Sequence, residues 1–296
     1  MNSNQHYEFR RVTRQLPCPI CAHDHWCLVA EWGDRAICCR TESETRIPSF
    51  DGWLHHIPPR NRAKPETIAR LTRTAQPHAV QDFSDLLDRH IGAFDDAQRQ
   101  RAAEMLGLDA CAFDPYAIGL DTKADALAIP ALQLSVPTVI GIRYRALARR
   151  TGGAKWWTER GSTAGLLLPR AAPDDRQIVA VCEGPSDTFA ASQLGLHALG
   201  RWSCGLDERQ LETLASHLAP SSRPTLLVVG DNDGERATGQ RGADAAARAI
   251  IERLPELRVL RVQPPPEHKD LRDWLVNGKA SDADVISAAK EVARED

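Results

Sequence analysis

The sequence predicts an α/β protein in which a parallel sheet carries the chemistry and a small cysteine-bearing β module precedes it. From Gln177 onward, short apolar runs alternate with helical stretches, the pattern of a parallel sheet covered on both faces. Near the start, Cys18-Pro19-Ile20-Cys21 is followed by Cys27, Cys38 and Cys39. Such a cluster points to metal rather than to cross-links.

Composition sets the outer bounds. With 296 residues, 42% of them hydrophobic, one large or two to three small domains with real cores are expected. No apolar run approaches the ~18 residues that span a bilayer, and the polar first residues lack a secretory signal, so a cytoplasmic protein with no membrane partner is expected. The net charge of −3 argues against a chain that coats nucleic acid. Residues 1–170 hold 22 Lys+Arg against 19 Asp+Glu, and residues 171–296 hold 15 against 21. An acidic half beside a mildly basic one suits a metal enzyme acting on polyanions.

Taken in order, residues 1–56 read as a zinc ribbon opened by a basic arm bearing Arg10, Arg11 and Arg14. Cys-x₂-Cys is the knuckle that presents two thiolates to one Zn²⁺, and a structural tetrahedral site needs two more ligands from a distant turn. The expected set is Cys18, Cys21, Cys27 and Cys38, with Cys39, His23 and His25 as alternatives. Cys27 and Cys38 fall on strands Trp26–Val29 and Arg35–Cys38, joined by a turn at Glu31–Asp34. Residues 57–80, rich in Pro, Arg and Thr, read as a linker with a short helix at Pro65–Arg73.

Residues 81–172 read as a mixed α+β basic subdomain. Helical spacing over 81–111 gives way to strands at Ala126–Pro130, Leu132–Val136 and Val139–Arg145. Alternation puts Arg143 and Arg145 on one face with Tyr144 opposite. Lys155-Trp156-Trp157 follows. Arg143, Arg145 and Lys155 suit phosphate contact, and Trp156 or Trp157 could stack on a base, against the plainer reading of a surface hairpin with core tryptophans.

Residues 173–280 form the expected catalytic domain, with strands Ile178–Cys182, Leu196–Leu199, Leu226–Val229 and Leu257–Val262. Helices are expected near Ser186–Leu194, Asp207–Leu218 and Glu235–Leu254. The run Thr225–Val229 stops at Gly230 and delivers Asp231 and Asp233 where ligands sit in open α/β sheets. Two such acids are hard to hold charged without a cation, and Mg²⁺ (or Mn²⁺) is the natural guest. Asp233 is alternatively the cap of the following helix. Glu183 ends a second acid-tipped strand, Asp187 follows it, and Lys269, Asp270 and Asp273 form a third acidic element. Residues 281–296 read as one closing helix, with a loose capping box at Ser281–Asp284.

The order Glu183-Gly184-x-x-Asp187, Asp231-x-Asp233-Gly234, then Lys269-Asp270 resembles the Toprim domain of bacterial-type primases, topoisomerases and some nucleases. With the cysteine cluster and Gly141-x-Arg143-x-Arg145 before it, the chain resembles a bacterial or phage-type primase: zinc ribbon, RNA-polymerase core, no helicase domain. A second Cys-x₂-Cys usually closes those ribbons, whereas Thr41 stands here. The resemblance implies template-directed synthesis of short RNA primers on single-stranded DNA by metal-dependent nucleotidyl transfer. It implies Asp231 and Asp233 as catalytic Mg²⁺ ligands, and Glu183 as a further catalytic ligand or the group that manages the proton of the attacking 3′-hydroxyl. Asp187 and Asp270 are implied as secondary acids, and Arg143, Arg145, Lys155 and Lys269 as template or nucleotide contacts. Nucleoside triphosphates and a separate replicative helicase are the implied partners, and compact size suits a phage, plasmid or other mobile element. A topoisomerase would need a tyrosine after the acids, but the tyrosines are Tyr7, Tyr116 and Tyr144; no P-loop is present. A recombination mediator that clamps DNA and a metal-dependent nuclease are the alternatives.

Overall fold

The computed structural model describes residues 9–24, 26–47, 52–64, 67, 80–134, 138–148, 154–174, 177–202, 205–219, 224–232 and 238–292. His25, Asp233 and all but one residue of the expected helix at 65–73 lie outside them. The chain divides into two compact units, residues 1–79 and 80–296.

The first unit is an antiparallel sheet of β1 (Phe9–Arg11), β2 (Leu28–Ala30), β3 (Arg35–Cys38), β4 (Thr45–Ile47) and β5 (Gly52–His56), ordered β1-β2-β3-β5-β4. Residues 57–63, expected as the start of a linker, belong to this unit instead. Ile57 is buried with Val29 and Ala36, Ala63 packs beside them, and Arg62 Nε donates to Ile57 O at 2.9 Å. Exposing Ile57 in a solvated tether would forfeit about 2 kcal/mol of apolar burial.

The second unit begins with α1 (Ser84–Ile91) and α2 (Asp96–Leu106), then β6 (Gly119–Asp121), β7 (Ala126–Gln133), β8 (Thr138–Ala146), β9 (Trp156–Thr158) and β10 (Leu166–Leu167). A β-α alternation follows: β11 (Val179–Cys182), α3 (Pro185–Gln193), β12 (His197–Arg201), α4 (Glu208–Leu218), β13 (Thr225–Val229), α5 (Thr238–Arg253) and β14 (Arg258–Val262). It closes with α6 (Leu271–Gly278), α7 (Asp282–Ser287) and β15 (Lys290–Glu291).

All these strands join one sheet, ordered β15-β14-β13-β11-β12-β10-β7-β8-β9, with β6 paired to β7. The four strands β12, β11, β13 and β14 are mutually parallel. Side chains alternate across it as strand geometry requires. Ala180, Cys182, Leu227 and Val229 enter one core with Phe113, Phe189, Leu271 and Trp274; Val179, Val181, Leu226 and Val228 enter the other with Leu214 and Ile250.

Three expectations need correction here. The boundary at 172/173 runs through a continuous sheet, because β10 pairs with β12 on one side and β7 on the other. Strand β7 is not broken at Pro130 but runs through it, with a bulge at Ala131/Leu132. Proline is tolerated because β6 reaches only Ala128 and β10 only Leu132, leaving position 130 without a partner on that edge. The closing helix ends at Ser287, after which Lys290–Glu291 pair with β14, and Val285 is buried in the main core.

Candidate metal and phosphate sites

In the first unit, Cys18, Cys21, Cys27 and Cys38 hold sulfur atoms that all lie within 4.8 Å of one another. Cys21 and Cys27 Sγ are 3.7 Å apart, and Cys27 and Cys38 Sγ 3.9 Å. Four sulfurs at about 2.3 Å from one tetrahedral Zn²⁺ sit about 3.8 Å apart, so the set fits that ion. The backbone N–H groups of Thr41 and Arg40 donate to Cys38 Sγ at 3.3 and 3.5 Å, and Arg40 Nη1 reaches Cys27 Sγ at 3.7 Å. These donors offset the surplus charge of four thiolates around a divalent ion. Cys39 is turned away, its thiol donating to Trp26 O at 3.0 Å, and His23 Nδ1 lies 2.8 Å from Cys21 O.

Without a cation the four thiols cannot ionise together. Burial pushes Cys18 up to about 12 and Cys27 up to about 11. At Cys21 burial is outweighed by hydrogen bonds from the His23 backbone and from the neighbouring cysteines, which bring it down to about 6.

The second site lies at the C-terminal end of the parallel strands. Strand β11 has β12 on one side and β13 on the other, so the order reverses between β11 and β13, where such sheets form their ligand crevice. These neighbours pair with Val181 opposite Val228, and Glu183 and Asp231 follow within three residues of that pair on the two strands' outgoing chains. Gly239 allows α5 to begin against the second acid: a Cβ there would stand 2.8 Å from Asp231 Cβ.

Around this pair the other acids gather by different routes. Asp187, in the first turn of α3, is buried and accepts a hydrogen bond from Arg272 N at 3.0 Å. Burial, then the charge of Asp270, raises its carboxyl to about 7, with Glu183 adding to the rise. Asp270 caps α6, accepting from Asp273 N at 2.7 Å, while Asp273 accepts from Lys269 N at 2.9 Å. Donation from the Lys269 backbone, then from the Asn277 side-chain amide, holds Asp273 below the usual carboxylate range. Asp270 is thus a helix cap whose charge still reaches Asp187.

Cations face these acids from the other half of the sheet. Arg143 and Arg145 share a face of β8, and both guanidinium groups lie over the ring of Trp156, at 5.0 and 5.1 Å. Burial, then Arg272, brings Arg145 down to about 10. Lys155 is lowered by burial and then by Arg145, Arg272 and Lys269, with Asp270 opposing. Lys155 thus lies within electrostatic reach of Arg145, Lys269 and Arg272, a concentration of positive charge suited to a polyanion. Both tryptophans are engaged within the protein: Trp156 lies beneath two guanidinium groups, and Trp157 stacks on Tyr144 at 5.4 Å.

Sequence reasoning missed three residues. Arg201, fully buried at the end of β12, brings Nη2 to 3.9 Å from Glu183 Oε2 and donates to Val229 O and Gly242 O. It is an internal counter-charge, and an arginine closing the apolar run His197–Gly200 was its signal. Arg272 sits inside the third acidic element. Asn232, the residue between Asp231 and Asp233, makes an extensive set of hydrogen bonds across the crevice. A pattern read for charge passes over a neutral amide.

No protein-family model and no curated protein matches the chain. Solved structures do share its fold. Over 97% of this chain and 82% of its own, the zinc-binding and RNA polymerase domains of the Aquifex aeolicus primase superpose with a TM-score of 0.53 at 12% identity. A DnaG primase catalytic domain bound to single-stranded DNA covers 71% of this chain and 78% of its own, with a TM-score of 0.51 at 15% identity. The chain therefore has the fold of these bacterial primase domains.

Proposed function

We propose that the chain is a DNA primase that joins ribonucleotides into short primers on a single-stranded DNA template. One arrangement supports this reading: the sheet's switch point lies between β11 and β13, the strands that lead to Glu183 and Asp231. Asp187 of the helix after β11 accepts from Arg272 N, and the charge of Arg272 reaches Arg145 and, together with those of Lys269 and Asp270, Lys155. Phosphoryl transfer asks a protein mainly to position groups and neutralise charge. Glu183 and Asp231, with Asp233, would hold Mg²⁺ or Mn²⁺, whose chemistry is to bind the reacting phosphate and stabilise the charge that develops there.

In this reading the β-α alternation from β11 to β14, with the acidic loop after it, is a Toprim domain whose sheet continues into the strands before it. Lys269, Lys155 and Arg145 meet the triphosphate, and Arg143 lies towards the template. Glu183, with Arg201 behind it, is the group placed to manage the proton of the attacking 3′-hydroxyl. The zinc ribbon is the second part of the same enzyme. Among the described residues no helix is long and apolar enough to cross a membrane. A cytoplasmic enzyme working beside a separate helicase is the reading that fits the resemblance.

The test is primer synthesis on single-stranded templates with Mg²⁺ or Mn²⁺ and ribonucleotides. Labelled products that lengthen with template are expected. Template shortening would favour the nuclease, and DNA retention without any product would favour the mediator.

A further inference from the structure

We propose that Asn232 is a positioning residue that joins the metal-binding turn to the phosphate-binding loop, so that the grip on a nucleotide's triphosphate depends on it. The Asn232 side chain has one acceptor and one donor group, and both are committed. Nδ2 donates to the carbonyls of His268 (2.7 Å), Pro264 (2.9 Å) and Pro265 (3.0 Å). Oδ1 accepts from Gln263 Nε2 at 2.6 Å and Gln240 Nε2 at 3.3 Å, which fixes the amide's orientation. Its backbone N–H donates to Lys269 O at 2.6 Å.

The consequence falls on Lys269. Its carbonyl is held by Asn232 and its N–H by Asp273 Oδ2, so the backbone on both sides of its Cα is fixed. The loop leading to it contains Pro264-Pro265-Pro266, each with a restricted φ. Little slack therefore separates Asp231, on one side of Asn232, from the Lys269 backbone, from which the side chain carries its charge within electrostatic reach of Lys155. A cation on the acids and a phosphate on the lysine would be presented at one spacing, the kind of preorganisation that lowers the cost of binding.

What the phosphate belongs to rests on the primase reading; the clamp itself does not. The full chain and its Asn232→Ala variant would be compared in three measurements. These are calorimetry with Mg²⁺ and inorganic tripolyphosphate, amide exchange of the 264–273 segment by mass spectrometry, and kcat and KM for ribonucleotide in primer synthesis. The expected result is a loss of tripolyphosphate affinity of about tenfold, a similar rise in KM with kcat within about threefold, and faster exchange in 264–273 with α4 unchanged. Gln263→Leu, which keeps the carbonyl contacts but releases the amide's orientation, should give a smaller loss of the same kind and serves if Asn232→Ala does not fold.

Tripolyphosphate affinity equal in the original chain and both variants would overturn the clamp, as would a fall in kcat at unchanged KM. If the original chain binds tripolyphosphate but makes no primers, the primase reading fails while the clamp still stands on the binding and exchange results.

Discussion

The two candidate metal sites are built on opposite plans. In the ribbon, four sulfurs from one short segment close around a single position, and the protein supplies the whole coordination sphere. At the sheet, hard oxygen donors stand after separate strand ends, with Arg145, Lys269 and Arg272 within electrostatic reach of Lys155. A closed set of four sulfurs suits a structural ion, whereas the sheet's acids, in the function proposed, would share their metal with a substrate. Their charge balance differs in the same way. The ribbon offsets its thiolates with backbone N–H groups and Arg40, whereas the sheet keeps Asp187 buried among other acids at about 7.

Four experiments sharpen or break this contrast. The largest effect is expected from Asp231→Asn, which should lower primer synthesis by more than about 100-fold, over ~2.7 kcal/mol of barrier. Bound zinc should stay at one ion per chain. Wild-type activity in this variant, or loss of its zinc, would dissolve the distinction.

Cys38→Ser removes one corner of the ribbon. Because the binding free energy of a structural zinc is also folding free energy, the variant should lose the ion and residues 9–63 should become protease-sensitive. The melting of 80–296 should be unchanged; a common collapse would mean that the two units fold as one.

The third test is pH. Asp187 has a folded pKa raised well above the unfolded carboxylate value of about 3.9. Its contribution to stability is full below that value and is lost as pH rises through about 7, by at most ~1.4 kcal/mol per pH unit. Asp187→Asn should therefore stabilise the metal-free protein at pH 8 and leave it unchanged at pH 4, read by thermal melts. At the other end of the same strands, His197 and His217 are buried with their Nε2 atoms 2.9 Å apart, and burial lowers both to about 4. That pair leaves stability untouched above the unfolded value of about 6.5 and erodes it as pH falls from there towards 4. The metal-free chain should thus be weakened through Asp187 as pH rises from about 4 to about 7 and through the histidines as it falls from about 6.5 to about 4, while Mg²⁺ relieves only the former.

The smallest effect is expected from Ala22→Gly. Ala22 follows the Cys18–Cys21 knuckle with φ at +59°, a region costly for a residue with a Cβ. Glycine should raise the zinc-loaded ribbon's stability by about 0.5–1 kcal/mol, seen as slower zinc release to a chelator.

Much of this was legible in the sequence because it is local. Short apolar runs place the strands, and two of them end at a glycine with an acid beside it, Glu183 before Gly184 and Asp231 after Gly230, so both acids could be named from their neighbours alone. Cys27 and Cys38 could be chosen as ligands because strand spacing brings both ends of one hairpin to the knuckle. Other features were not legible, because they join residues far apart in the chain. Arg201 meets Glu183 only through the parallel pairing of β11 with β12, and Pro130 survives inside β7 only because its neighbours on that edge stop short.

The sequence by itself determined the order of elements, the four sulfurs and the identity of the strand-end acids, since periodicity and spacing are properties of contiguous residues. Only the tertiary structure decided which charges meet: that Lys155 and Arg145 converge on Lys269 and Arg272, that Asp187 is buried near Asp270, and that Asn232 spans the crevice. Coulomb interaction and hydrogen bonding depend on distance in space, which the chain acquires only when the sheet forms.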